Sequence, residues 1–152
     1  MAHVDELFSL AGTTAIVTGG ATGIGRQMAT ALAEAGADIV VCARDGDRCA
    51  EAAANLARLG VRTLGLRCNV ADPGEVEAMV ARAEAELGPI GILLNNAGTS
   101  WGAPTETHPL HGWQKVLDVN LTGTFLCAQA VGRRMLEAGA GKIINVASVA
   151  GL

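Results

Sequence analysis

Apolar and polar positions along this chain fall into two alternating patterns. Short runs dominated by apolar residues occupy 15–18, 38–43, 62–70, 90–94 and 142–147. Runs of this length, bounded by glycine or polar residues, read as strands buried on both faces. Between them, segments 24–35, 50–59, 72–87 and 110–138 carry apolar residues at helical spacing. Gly36, Gly60 and Gly88 stand directly beyond the first three, where helices commonly end. Asp72-Pro73-Gly74-Glu75 opens the third with an acidic cap, Pro at the first helical position and Glu one turn in. Strands alternating with helices predict an α/β fold, a doubly wound parallel sheet covered on both faces. No repeat or linker divides residues 1–152, so they read as one domain.

One junction organises the rest. The first strand runs into Thr18-Gly19-Gly20-Ala21-Thr22-Gly23-Ile24-Gly25, and a helical pattern starts there. Backbone N–H groups at a helix start lack partners within the helix and carry partial positive charge. Residues without side chains let a phosphate reach those amides, so the loop reads as a pyrophosphate cradle in a dinucleotide-binding Rossmann sheet. Ligands of such sheets bind beyond the carboxyl ends of the strands. About twenty residues past the glycine loop, an NAD site would usually hold an acid against the ribose hydroxyls. Ala43 stands there instead, followed by Arg44. A guanidinium suits a 2′-phosphate through forked, charge-assisted hydrogen bonds, which favours NADP(H) over NAD(H).

The spacing Thr18-Gly19-x-x-x-Gly23-x-Gly25 resembles the cofactor loop of short-chain dehydrogenases/reductases. Four further places match that family in order. Asn69-Val70 occupies the position of its adenine-flanking pair, with Asn where Asp is usual, and Asn95-Asn96-Ala97-Gly98 matches its N-N-A-G element. Val119-Asn120-Leu121 resembles its helix asparagine, and Ser148 stands where its catalytic serine stands. The resemblance implies cofactor contacts from Thr18, Gly19, Thr22, Gly23, Ile24, Gly25, Arg44, Asn69, Val70, Asn96, Ala97 and Gly98. It makes Ser148 the donor to a substrate carbonyl and Asn120 the holder of a backbone kink and a water on the proton path. It implies hydride transfer between a nicotinamide and a ketone or secondary alcohol. The run Asn96-Ala97-Gly98-Thr99-Ser100-Trp101-Gly102 is similar to 3-oxoacyl reductases and gluconate 5-dehydrogenase-like members, which points to a 3-oxoacyl thioester or a sugar acid.

Composition narrows the setting. The net charge is −4, which favours neither nucleic acid nor an anionic membrane as partner. Residues 1–10 lack the apolar core of a signal peptide, and no window approaches a membrane span, so a cytoplasmic location is expected. Cys42, Cys49, Cys68 and Cys127 form no C-x-x-C pair and have no histidine at zinc spacing. They read as reduced, buried thiols, and no metal is expected. Trp101 either lines a substrate entrance or packs its loop against the following helix.

Residues 119–132 contain no charged side chain, so this helix is apolar on more than one face. One face covers the sheet and leaves another for a second subunit, which agrees with the family's pairing of this helix; a dimer or tetramer is expected of the full-length protein. The family's proton donor is a tyrosine in Y-x-x-x-K about a dozen residues beyond the serine. The chain contains no tyrosine. It therefore reads as the first three-fifths of such an enzyme, ending before that segment, and its fifth strand should form an exposed sheet edge. The alternative reading is a catalytically incomplete nucleotide-binding fragment with no turnover.

Overall fold

The structure, a computed structural model, describes residues 4–148. A short helix, α1 (Val4–Phe8), leads into the alternation expected from the sequence: β1 (Thr14–Thr18), α2 (Gly23–Glu34), β2 (Asp38–Ala43), α3 (Gly46–Leu56), β3 (Thr63–Arg67), α4 (Pro73–Leu87) and β4 (Ile90–Asn95). Next come α5 (Leu110–Leu117), one π-helical turn at Asp118–Thr122, α6 (Gly123–Ala138) and β5 (Lys142–Asn145).

All strand pairs are parallel, in the order β3-β2-β1-β4-β5. The chain begins at the sheet's centre, winds outward through β2 and β3, then crosses back to β4 on the other side of β1. That reversal is the switch point where doubly wound sheets open a crevice. The glycine loop lies at the end of β1, directly beside it.

Alternate side chains of each strand face opposite layers. Ile16, Val40 and Leu93 meet Val76 and Val80 of α4 and Val131 of α6. Val17, Ile39 and Val41 meet Ala29 and Ala33 of α2 and Ala52 and Leu56 of α3. The second layer is thin because its helices present small residues. Gly65 shows why: a Cβ there would lie 2.7 Å from the backbone nitrogen of Ala50 and still closer to the Cys49 carbonyl. Thus α3 rests directly on β3.

Several boundaries differ from the sequence pattern. Helix α3 starts at Gly46 rather than at residue 50, because Asp45 caps it, its Oδ1 accepting from the Arg48 amide at 3.1 Å. Strand β3 ends at Arg67; Cys68 still donates to the Ala43 carbonyl at 2.8 Å, but Asn69 and Val70 leave the ladder. The single long helix expected over 110–138 is interrupted by the π turn. Among the described residues, no helix is long and apolar enough to cross a membrane.

Candidate functional site

The site is built from Thr18 outward. This side chain is buried at the end of β1, and its hydroxyl accepts hydrogen bonds from the amides of Asn96 and Ala97, both at 3.0 Å. In return, Nδ2 of Asn96 donates to the carbonyls of Thr18 at 3.1 Å and Gly19 at 3.4 Å. The glycine loop and the turn after β4 are therefore one hydrogen-bonded unit. Gly19 has φ 64°, and a Cβ there would lie 3.0 Å from the Ala97 Cα. A Cβ at Gly25 would collide with Asn96 Nδ2 and the Gly19 carbonyl oxygen. Gly23 opens α2 at φ 54°, a left-handed conformation that disfavours other residues. The N-cap, Thr22, makes no side-chain capping bond, so no side chain occupies the first-turn amides of α2.

Above this unit lies a cleft of about 410 Å³. Ten of the twelve residues expected to touch a cofactor line it: Gly19, Thr22, Ile24, Gly25, Arg44, Asn69, Val70, Asn96, Ala97 and Gly98. The other two support it, Thr18 from beneath and Gly23 at the helix start. A cradle closed to side chains at Gly19 and Gly25, with open amides behind it, fits the diphosphate of a dinucleotide.

The cleft's far end belongs to β2 and β3. Arg44 stands exposed at its rim and makes no hydrogen bond or ion pair with the described residues. The carboxamide oxygen of Asn69 accepts from the Ala71 amide at 3.3 Å, while Glu75 Oε2 accepts from the Asn69 amide at 2.8 Å and Arg67 Nη1 at 2.9 Å. This small network fixes the turn that carries Asn69 and Val70.

At the near end, Asn120 sits in the π turn, where one extra residue per turn re-aims a side chain. Its Oδ1 accepts from the Thr99 amide at 2.8 Å and its Nδ2 donates to the Thr99 carbonyl at 3.0 Å. Asn120 thus clamps the backbone just beyond the Asn96–Gly98 turn without lining the cleft itself. Asn95 turns the other way, its Nδ2 donating to Asn145 Oδ1 at 3.0 Å and to the Thr124 carbonyl at 3.4 Å. Ser148 is exposed three residues beyond β5 and is not among the cleft-lining residues. Val149, Ala150 and Gly151, which follow it in the matching run, lie outside the described residues.

Of the two readings of Trp101, the geometry shows packing. Its indole lies on the bare backbone of Gly112, where a Cβ would fall 2.7 Å from the ring. The His111 ring meets it edge-on at 5.0 Å, and Lys115 Nζ stands 5.4 Å from its centre. Trp101 pins its loop to α5.

Seven cleft residues lie outside the twelve expected contacts: Ala21, Ala43, Asp45, Arg48, Cys68, Thr99 and Val119. Arg48 lies before residue 50, where the helix was expected to start, although its spacing from a capping Asp45 was a usable signal. All four cysteines are buried and free. The hydrogen bond with Cys68, together with burial, holds the Cys42 thiol well above the usual range, and burial pushes Cys127 up to about 12. These two thiols stay protonated at neutral pH. Among the described residues, no group of three or more His, Cys, Asp or Glu is arranged to hold a metal.

Residues 13–152 match the short chain dehydrogenase family, and the chain belongs to it. It is 43% identical to the rhamnolipids biosynthesis 3-oxoacyl-[acyl-carrier-protein] reductase of Pseudomonas aeruginosa, over 95% of this chain and 58% of the relative. It is 39% identical to the 5-keto-D-gluconate 5-reductase of Escherichia coli K12, over 96% of this chain and 58% of that protein. A crystal structure of a short-chain type dehydrogenase/reductase from Mycobacterium marinum superposes with a TM-score of 0.94 at 41% identity, covering 99% of this chain and 61% of that one. The chain spans about three-fifths of the length of these relatives.

Proposed function

We propose that this chain forms the nucleotide-binding part, one domain over residues 1–152, of an NADP(H)-dependent oxidoreductase that interconverts a ketone and a secondary alcohol. The observation that carries the reading is the cleft over the glycine loop, with the unengaged Arg44 at its rim. The bound nicotinamide nucleotide would supply or accept the hydride. Around it, Gly19, Gly23 and Gly25 admit the diphosphate to the amides of the loop and of α2, supported by Thr18, Thr22 and Ile24. Arg44 takes the 2′-phosphate, Asn69 and Val70 flank the adenine, and Asn96, Ala97 and Gly98 keep bulk away from the nicotinamide end. Asn120 positions the Thr99 backbone, and the Ser148 hydroxyl donates to the substrate carbonyl oxygen, where negative charge develops.

The relatives' names, a 3-oxoacyl reductase and a 5-keto-gluconate reductase, support a carbonyl substrate and leave a 3-oxoacyl thioester and a sugar acid as the two classes to assay. The reading includes a cytoplasmic location and a homo-oligomer, the latter supported by the exposed Leu121 and Phe125 along the charge-free stretch. A second reading applies to the 152-residue polypeptide by itself. It contains no tyrosine, so it should bind nucleotide without turning over a carbonyl.

Arg44→Ala tests the first reading. NADPH binding should weaken by about 1.5–3 kcal/mol, the scale of a charge-assisted hydrogen bond, while NADH binding barely changes. Equal losses for the two cofactors in a fluorescence titration would refute the 2′-phosphate role.

A further inference from the structure

Arg48 is a second guanidinium on the same cleft, one turn into α3, and Asp45 lines the cleft between it and Arg44. The two carboxylate oxygens of Asp45 are both engaged by Arg48. Oδ1 accepts from its backbone amide at 3.1 Å, and Oδ2 pairs with its Nε at 3.2 Å. Among the described residues, the terminal amino groups of Arg48 make no hydrogen bond or ion pair, and neither does Arg44, next in sequence to Asp45. The rim thus holds two cations and one anion, with the anion tied to the cation that is further from it in sequence.

Resting on the NADP(H) reading above, we infer that Arg48 is a specificity-determining residue that holds Asp45 away from Arg44 and offers its own terminal amino groups to the 2′-phosphate. Without Arg48, the rim's charge falls from +1 to zero, and Asp45 becomes the natural partner of the Arg44 guanidinium beside it. A carboxylate so placed would repel a phosphate dianion and occupy the fork meant for it. A neutral ribose 2′-hydroxyl would feel neither effect. Discrimination between the phosphorylated and unphosphorylated nucleotides therefore depends on the Asp45–Arg48 pair as well as on Arg44.

The test uses the 152-residue chain, NADPH and NADH as probes, and fluorescence titration at two salt concentrations. Arg48→Ala should weaken NADPH binding about tenfold and NADH binding less than about twofold, with a shallower salt dependence for NADPH. Adding Asp45→Asn to Arg48→Ala should recover roughly threefold of the NADPH loss, since Asn caps a helix as well as Asp while carrying no charge. Unchanged melting temperatures show that each variant is folded. Equal effects on the two nucleotides, or no effect on either, would overturn the inference while leaving the functional reading intact. A double variant that binds NADPH no better than Arg48→Ala would overturn the screening of Asp45. A parent chain that binds neither nucleotide would overturn the functional reading and this inference with it.

Discussion

Strands β1 and β5 are built from similar residues and end in opposite conditions. In β1, Thr14-Ala15-Ile16-Val17-Thr18, every position is buried, with a parallel strand on each side and helices on both faces. In β5, Lys142-Ile143-Ile144-Asn145, every position is exposed, Ile144 to 46%, although β4 pairs with it along its length. Composition alone does not separate them. What separates them is the number of neighbours, since a strand buries its side chains only against other elements. The site follows the buried strand. Its hydrogen bonds run among the ends of β1 and β4 and the π turn, and none of them needs the β5 margin. Asn95 ties the two regions together beyond the strand ladder, its side chain joining the end of β4 to Asn145.

Thr18→Val should break the buried side hardest. The change keeps the side chain's shape but leaves the amides of Asn96 and Ala97 without an acceptor, at about 1–3 kcal/mol each, so urea denaturation should show a loss of roughly 2–6 kcal/mol. A loss below 1 kcal/mol would mean that the loop and the turn are not one unit. Asn120→Ala should act more locally. Removing the two-point clamp on Thr99 should cost about 1–2 kcal/mol and speed exchange of the Thr99 amide by roughly tenfold, while the core amides of β1 are unaffected. Uniform acceleration across the sheet would count against a local clamp.

Ile144→Lys sharpens the other side. An exposed edge residue contributes little to the fold, so stability should change by no more than about 0.5 kcal/mol. Lysine on an open edge blocks strand addition, so the variant should self-associate less than the parent in sedimentation at micromolar concentration. A parent chain that is monomeric and fully soluble there would show that the edge is not adhesive.

Much of this was legible in the residues themselves. The glycine loop, the strand-helix alternation and the residues just past each strand are local features, and they placed ten cofactor candidates on one cleft. The exposed fifth strand was expected too, from the absence of the Y-x-x-x-K segment that follows it in the family, and β5 is exposed along its length. Features that depend on a neighbour's backbone were not legible. The π turn adds one residue to a helix without disturbing its apolar pattern, so periodicity saw a single helix through Asn120. The role of Trp101 was decided by the missing side chain of Gly112, a contact that no spacing rule encodes. Arg48 stands before the helix that periodicity places over 50–59, and only the start of α3 at Gly46 and the pairing with Asp45 bring it onto the cleft.

The most direct test of the proposed nucleotide cleft, set at the ends of β1 and β4 and apart from the β5 margin, is amide hydrogen exchange of the 152-residue chain with and without saturating NADPH. Protection should appear at residues 19–25, 44–48, 69–70 and 96–99, with none at 142–148. Absence of protection at 19–25, or protection centred on 142–148, would contradict it.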